Sequence, residues 1–197
     1  MRRRTYIIYI VLGLLATPAA VWLWQAGYLN VRVIEDLKGG ASAADAPPQI
    51  YPETIPESEQ KSLDLPQTFR HPEFGFSFSY PEGFTASLLD SSEGGHTVLV
   101  QNTERKAGFQ IHLEAYDDPD TVITAERLAR DIPEMKIKEP QDIVIGAAAR
   151  GLAFIASDTG TREVWFIFGG TLYQLTAPIE NDVLLQRVLD TWNFQKI

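Results

Sequence analysis

The chain has 197 residues, no cysteine, and 26 acidic against 17 basic side chains, a formal net charge of −9. The lack of cysteine excludes disulfides, thiolate metal sites, a cysteine nucleophile and a lipid-modified cysteine, and the acidic balance argues against nucleic acid, which needs a basic face. The charge is also uneven: Arg2, Arg3 and Arg4 open the chain, and the next charge of either sign is Arg32.

Between Thr5 and Val31 lie 27 residues without a charge. The apolar part, from about Tyr6 to Leu29, would extend roughly 36 Å as a helix, enough to cross a hydrocarbon layer of ~30 Å with some tilt. Tyr6 and Tyr9 stand at one end and Trp22, Trp24 and Tyr28 near the other, as two interfacial aromatic belts would. Three arginines before the span place the N-terminus in the cytoplasm and the rest of the chain outside. Residues 1–29 are therefore expected to be a single-pass anchor, with Arg2, Arg3, Arg4, Tyr6, Trp22 and Trp24 at the membrane interfaces. A cleavable signal peptide is the alternative, with Tyr6–Leu15 as its apolar region and Thr17-Pro18-Ala19-Ala20 as the cleavage zone. That reading yields a freely secreted domain. Apolarity continuing through Val21-Trp22-Leu23-Trp24 favours the anchor.

Residues 30–68 change character. Gly39-Gly40-Ala41-Ser42-Ala43-Ala44-Asp45-Ala46-Pro47-Pro48 is small and rich in breakers, and Pro52, Pro56 and Pro66 follow among Glu53, Glu57, Glu59, Lys61 and Asp64. So few large apolar side chains cannot repay ordering by burial. The stretch is expected to be an acidic, disordered tether with an end-to-end distance of roughly 35 Å.

Residues 69–197 carry 19 acidic and 11 basic side chains and are long enough for a single core. Phe74–Tyr80 alternates aromatic and small residues, the period of a half-buried strand, and Pro81-Glu82-Gly83 ends it. Further strands are predicted at Phe84–Leu89, His96–Asn102 and Phe109–Tyr116, and their short connections favour antiparallel pairing. Ala125, Leu128, Ala129 and Ile132 then share one face of a helix, with Thr121 or Thr124 to cap it and Pro133 to stop it. Strands resume at Asp142–Ala147, Gly151–Ser157 and Glu163–Phe168. The last is apolar throughout from Val164, as suits a central strand covered on both faces. Gly169-Gly170 makes a hairpin turn into Leu172–Ala177. Asn181–Trp192 is a helix with Leu184, Leu185, Val188, Leu189 and Trp192 on one face and Asn181 or Asp182 as cap. The order predicts an α+β domain, an antiparallel sheet flanked by helices.

Phe76-Ser77-Phe78-Ser79-Tyr80-Pro81-Glu82-Gly83-Phe84 resembles the opening strand and turn of PsbP-like domains. Gly170–Ala177, Leu185–Trp192 and Phe194 resemble their closing strand, last helix and final aromatic. The resemblance spans most of residues 69–197 and implies an α/β/α sandwich. The group includes photosystem II extrinsic subunits, Ran-binding Mog-type proteins and many exported bacterial proteins. Its members mostly act as accessory or binding modules, and it has no shared catalytic motif to carry over.

The residues themselves show no catalytic constellation. His71, His96 and His112 lack the i, i+4 spacing of a helical zinc motif. His96 and His112 could converge with Glu93 or Glu114 on a metal or a hydrolase site, although solvated strand histidines have the same sequence pattern. Asp117, Asp118 and Asp120 crowd oxygens into one loop as a calcium site does, but lack the spacing and the distal glutamate of a calcium loop. No nucleophile elbow and no phosphate-binding glycine loop occurs. No catalytic residue and no cofactor is expected. The expected role is a membrane-tethered, extracytoplasmic binding or accessory domain with an envelope protein as partner; an extracytoplasmic hydrolase is the alternative.

Overall fold

The structure, a computed structural model, describes residues 57–90 and 95–195, which belong to the compact unit Thr54–Ile197. The expected N-terminal span with Arg2, Arg3, Arg4, Tyr6, Trp22 and Trp24, most of the expected tether, and Glu93 lie outside the described residues. Among the described residues no helix is long and apolar enough to cross a membrane.

Regular structure lies ahead of residue 69 as well, inside the stretch expected to be tether. Helix α1 (Glu57–Ser62) and strand β1 (Gln67–Arg70) precede β2 (Phe76–Tyr80), β3 (Thr85–Asp90), β4 (His96–Asn102) and β5 (Ala107–Ala115). Next come α2 (Ala125–Asp131), β6 (Ile137–Ile145), β7 (Ala149–Ala156), β8 (Thr161–Phe168) and β9 (Thr171–Pro178). A 3-10 turn (Ile179–Asn181), α3 (Asp182–Asp190) and β10 (Asn193–Phe194) close the chain.

All pairing is antiparallel. Seven strands form one sheet in the order β3-β4-β5-β9-β8-β7-β6, and β1-β2-β10 form a second, small one. The α+β expectation holds at this level: mostly antiparallel sheet with a few short helices.

Alternation assigns the faces of the large sheet. Val98, Val100, Phe109, Ile111, Leu113, Val164, Phe166, Tyr173 and Leu175 point into the main core, where they meet Phe76 and Phe78 of β2 and Leu184, Leu185, Val188 and Trp192. The Trp192 ring lies parallel to Phe76 at 4.8 Å and stacks on Phe78 at 5.4 Å. The alternating aromatics of β2 are thus the floor on which the last helix ends. The opposite face of the central strands is buried too: Leu99, Leu152, Phe154, Trp165, Ile167 and Leu172 lie there. This accounts for the unbroken apolar run of β8. At the β8–β9 turn Gly169 and Gly170 have φ of +60° and +76°, a hairpin geometry that side chains resist.

The helix α1 carries no apolar stripe. It is held by side chains instead. Gln60, fully buried, donates to the Glu180 carbonyl at 2.7 Å and accepts from the Leu184 amide at 3.0 Å. Arg187 reaches back from α3 to the carbonyls of Gln60 and Lys61 at 3.0 and 2.7 Å. Acceptors at a helix C-terminus suit a guanidinium. Arg162 of β8 forks onto Asp182 at 2.9 and 3.0 Å and fixes the start of α3 to the sheet. Asn181, an expected cap of that helix, makes no capping bond; its amide instead donates to the Gly108 carbonyl at 3.5 Å.

Candidate functional site

The sheet face away from the main core carries two rows of polar side chains, each one residue wide. In the first row Gln110, Thr176 and Glu163 are direct neighbours across β5, β9 and β8. In the second, Thr97, His112, Gln174 and Trp165 are neighbours across β4, β5, β9 and β8. Gln110, His112, Glu163 and Gln174 are all buried.

Glu163 is the centre of the first row. The Thr161 and Thr176 hydroxyls donate to its carboxylate at 2.7 and 2.8 Å, and the Trp165 indole N–H at 3.2 Å. Thr161 is in turn bonded to Thr159 at 2.6 Å, so the chain of hydroxyls runs out to the β7–β8 turn. Burial pushes the Glu163 carboxyl up to about 7, against the pull of its three donors. The group exchanges a proton near neutral pH, yet at 4% exposure it does so behind the sheet. The sequence signal was faint: a single acid at the head of an apolar strand, in register with Trp165 and Ile167.

His112 shares a hydrogen bond with the Thr97 hydroxyl through Nδ1 at 3.1 Å, and its Nε2 is buried without a partner among the described residues. Burial, and secondly the charge of His96, lowers its pKa to about 4, so the imidazole is neutral at physiological pH. Gly95 lies against the ring: a Cβ there would stand 2.7 Å from Cε1.

Of the expected convergence of His96 and His112 with Glu93 or Glu114, the two histidines do not come together. His96 pairs with Leu113 and His112 with Thr97, so the two histidines leave opposite faces of the sheet. His96 joins an aromatic cluster, 5.2 Å from Phe74 and 6.2 Å from His71. His71 accepts the amides of Glu73 and Phe74 on Nδ1 at 3.2 and 3.3 Å, a turn-capping role. Glu114 shares the face of His112, and burial raises its pKa. Glu93 lies outside the described residues.

The acidic loop Asp117–Asp120 already faces a cation of the chain's own. Arg127, on α2 and nearly buried, donates to the carbonyls of Asp120 and Val122 at 2.6 and 3.0 Å and to the Tyr116 hydroxyl. The carboxylates of Asp118, Asp120 and Asp131 stand 3.6, 3.4 and 3.4 Å from it. Asp118 and Asp120 also accept the amides of Asp120 and Val122, ordinary work for aspartate in a turn. Asp117 takes no part in this clamp. Among the described residues no group of three or more His, Asp or Glu side chains is placed to hold a metal ion.

No family model and no curated protein matches the chain. Solved structures do. The solution structure of cyanobacterial PsbP (CyanoP) from Synechocystis sp. PCC 6803 is similar at a TM-score of 0.46 and 13% identity, covering 65% of this chain and 91% of that one. A crystal structure from Bacteroides thetaiotaomicron VPI-5482 is similar at a TM-score of 0.42 and 12% identity, covering 68% of this chain and 50% of that one.

Proposed function

We propose that the chain is a single-pass membrane protein, N-terminus inside, that presents a PsbP-like α/β/α domain outside the cytoplasm as a binding or accessory module for an envelope protein. The observation that carries this reading is the 27-residue uncharged span behind Arg2, Arg3 and Arg4, joined to a separately folded domain by a proline- and alanine-rich stretch. The internal use of the polar groups supports it: Arg127 engages the acidic loop, and Glu163 is bonded to its own sheet. Protease treatment of spheroplasts tests the topology. The domain is expected to be digested from outside while the N-terminal arginines stay protected; a fully protected domain overturns the reading. The secreted alternative predicts a mature chain lacking its first residues, which intact-mass measurement decides.

A further inference from the structure

The two edges of the seven-stranded sheet are built differently. An edge strand presents unpaired backbone N–H and C=O groups to any other strand, and folds normally blunt it with charge, proline or a bulge. At one edge β6 has all three. Lys138, Glu139 and Pro140 interrupt it, its register with β7 shifts between Lys138 and Gln141, and Glu139 sits at φ +52°. At the other edge the Thr85–Leu89 part of β3 has none. Its six residues pair with β4 without a shift, and no charge occurs before Asp90. Leu88 and Leu89, which leave opposite faces, are 45% and 43% exposed.

We propose that the β3 edge joins two copies of this chain, β3 pairing antiparallel with β3 across a two-fold axis through Ser87. A two-fold axis that continues the sheet must stand perpendicular to it, so paired residues share a face and the axis passes midway between the two copies of one residue. Centred on Ser87, the register sets Thr85 against Leu89, Ala86 against Leu88 and Ser87 against itself. Each exposed leucine then meets a small side chain on its own face, and both Asp90 residues fall outside the ladder. Centred on Leu88, it would set the two leucines against each other and bring Asp90 into the ladder opposite Ala86.

Charge does not oppose a second copy at this edge. Residues 69–197 hold eight more acids than bases, so most pairs of surfaces repel, yet Thr85–Leu89 is neutral along its whole length. A strand pair this short buries on the order of several hundred Å², below the ~1,200 Å² of stable complexes, so the dimer is weak and reversible.

The test uses the absence of native cysteine. Ser87 is exposed, and directly opposed strand residues have Cα atoms within disulfide range. The full chain carrying S87C in detergent under mild oxidation is expected to form a disulfide dimer several-fold faster than chains carrying L89C, or V144C on the guarded edge. Adding L88K to S87C is expected to slow it to the V144C rate, while circular dichroism and the thermal midpoint stay those of the parent. Equal rates for S87C and V144C, no effect of L88K, or faster linkage through L89C each overturn the proposal.

Discussion

Replacing Glu163 by glutamine removes a proton-binding group from the middle of the sheet while keeping its shape. The folded carboxyl titrates at about 7 against an ordinary value of 4.5, chiefly because burial disfavours its charge. Below pH 4.5 it is protonated in folded and unfolded chains alike, and it contributes nothing to the pH dependence. Between 4.5 and 7 the unfolded chain has released the proton and the folded chain still holds it, so each step up in pH favours unfolding. Above 7 the charge is buried in the native state and the full cost stands. A gap of about 2.5 pH units corresponds to about 3 kcal/mol. The glutamine variant has no such titration. Its carbonyl can take the bonds from Trp165 and Thr176, and its amide can donate to the Thr161 hydroxyl, which rotates to accept.

The expected result is a difference in unfolding free energy between E163Q and the parent that grows in favour of the variant by about 3 kcal/mol between pH 4.5 and pH 8. Urea titrations followed by tryptophan fluorescence measure it, since Trp165 and Trp192 are both buried. All other titrating groups cancel in the difference. A difference that stays constant across this range would refute the reasoning, because it means that the folded carboxyl titrates at its ordinary value. Thr176→Val removes a donor to the charged form, so it is expected to move the parent's titration further above 7.

Four further outcomes are expected. Arg127→Leu strands two carbonyls and three aspartates and should cost about 2–3 kcal/mol in urea unfolding; Arg127→Lys recovers little because a single ammonium cannot reproduce the fork. Millimolar calcium should leave the parent's thermal midpoint unchanged, since Arg127 already supplies the positive charge facing Asp118 and Asp120; a clear rise would show a cation site. Gln60→Ala leaves the Leu184 amide without its side-chain acceptor and should cost about 1–3 kcal/mol, with faster proteolysis around residues 57–66. Gly95→Ala drives a methyl into the His112 ring and should cost about 1–3 kcal/mol, relieved by a second His112→Ala change.

What the sequence revealed follows from where each signal is stored. Strands β2 to β5, the cap at Thr124 and the Gly169-Gly170 turn are written in neighbouring residues, and they were legible. The α1 helix was not, because ESEQKS has the composition of a linker, and Gln60 gains its meaning only from Glu180 and Leu184, more than a hundred residues away. The first half of β6 was hidden by Pro140, which reads as a breaker although an edge strand tolerates it at a bulge. The acidic loop looked like a cation site because its cation arrives from a helix that the local spacing does not connect to it. The site on the sheet was missed for a related reason. Glu163 heads an apolar run, and only the register with Thr176 makes it the acceptor of a closed network.

The difference between the two sheet edges has a consequence for assembly. A sheet with two bare edges, each able to pair with its own copy, adds subunits alternately through one edge and the other and never closes. Blunting one edge caps the process at two. The guard on β6 would therefore limit pairing through β3 to two copies, and it is not free: a non-glycine residue at φ +52° is held against its preference. Charge could have blunted β3 at no such cost, since acids are abundant elsewhere in the domain. Some of its carboxylates are engaged elsewhere, by Arg127, by Arg162 through Asp182, by Arg105 through Glu59, and within the sheet at Glu163. A neutral edge in so acidic a domain is the arrangement expected of a surface that must approach its own copy.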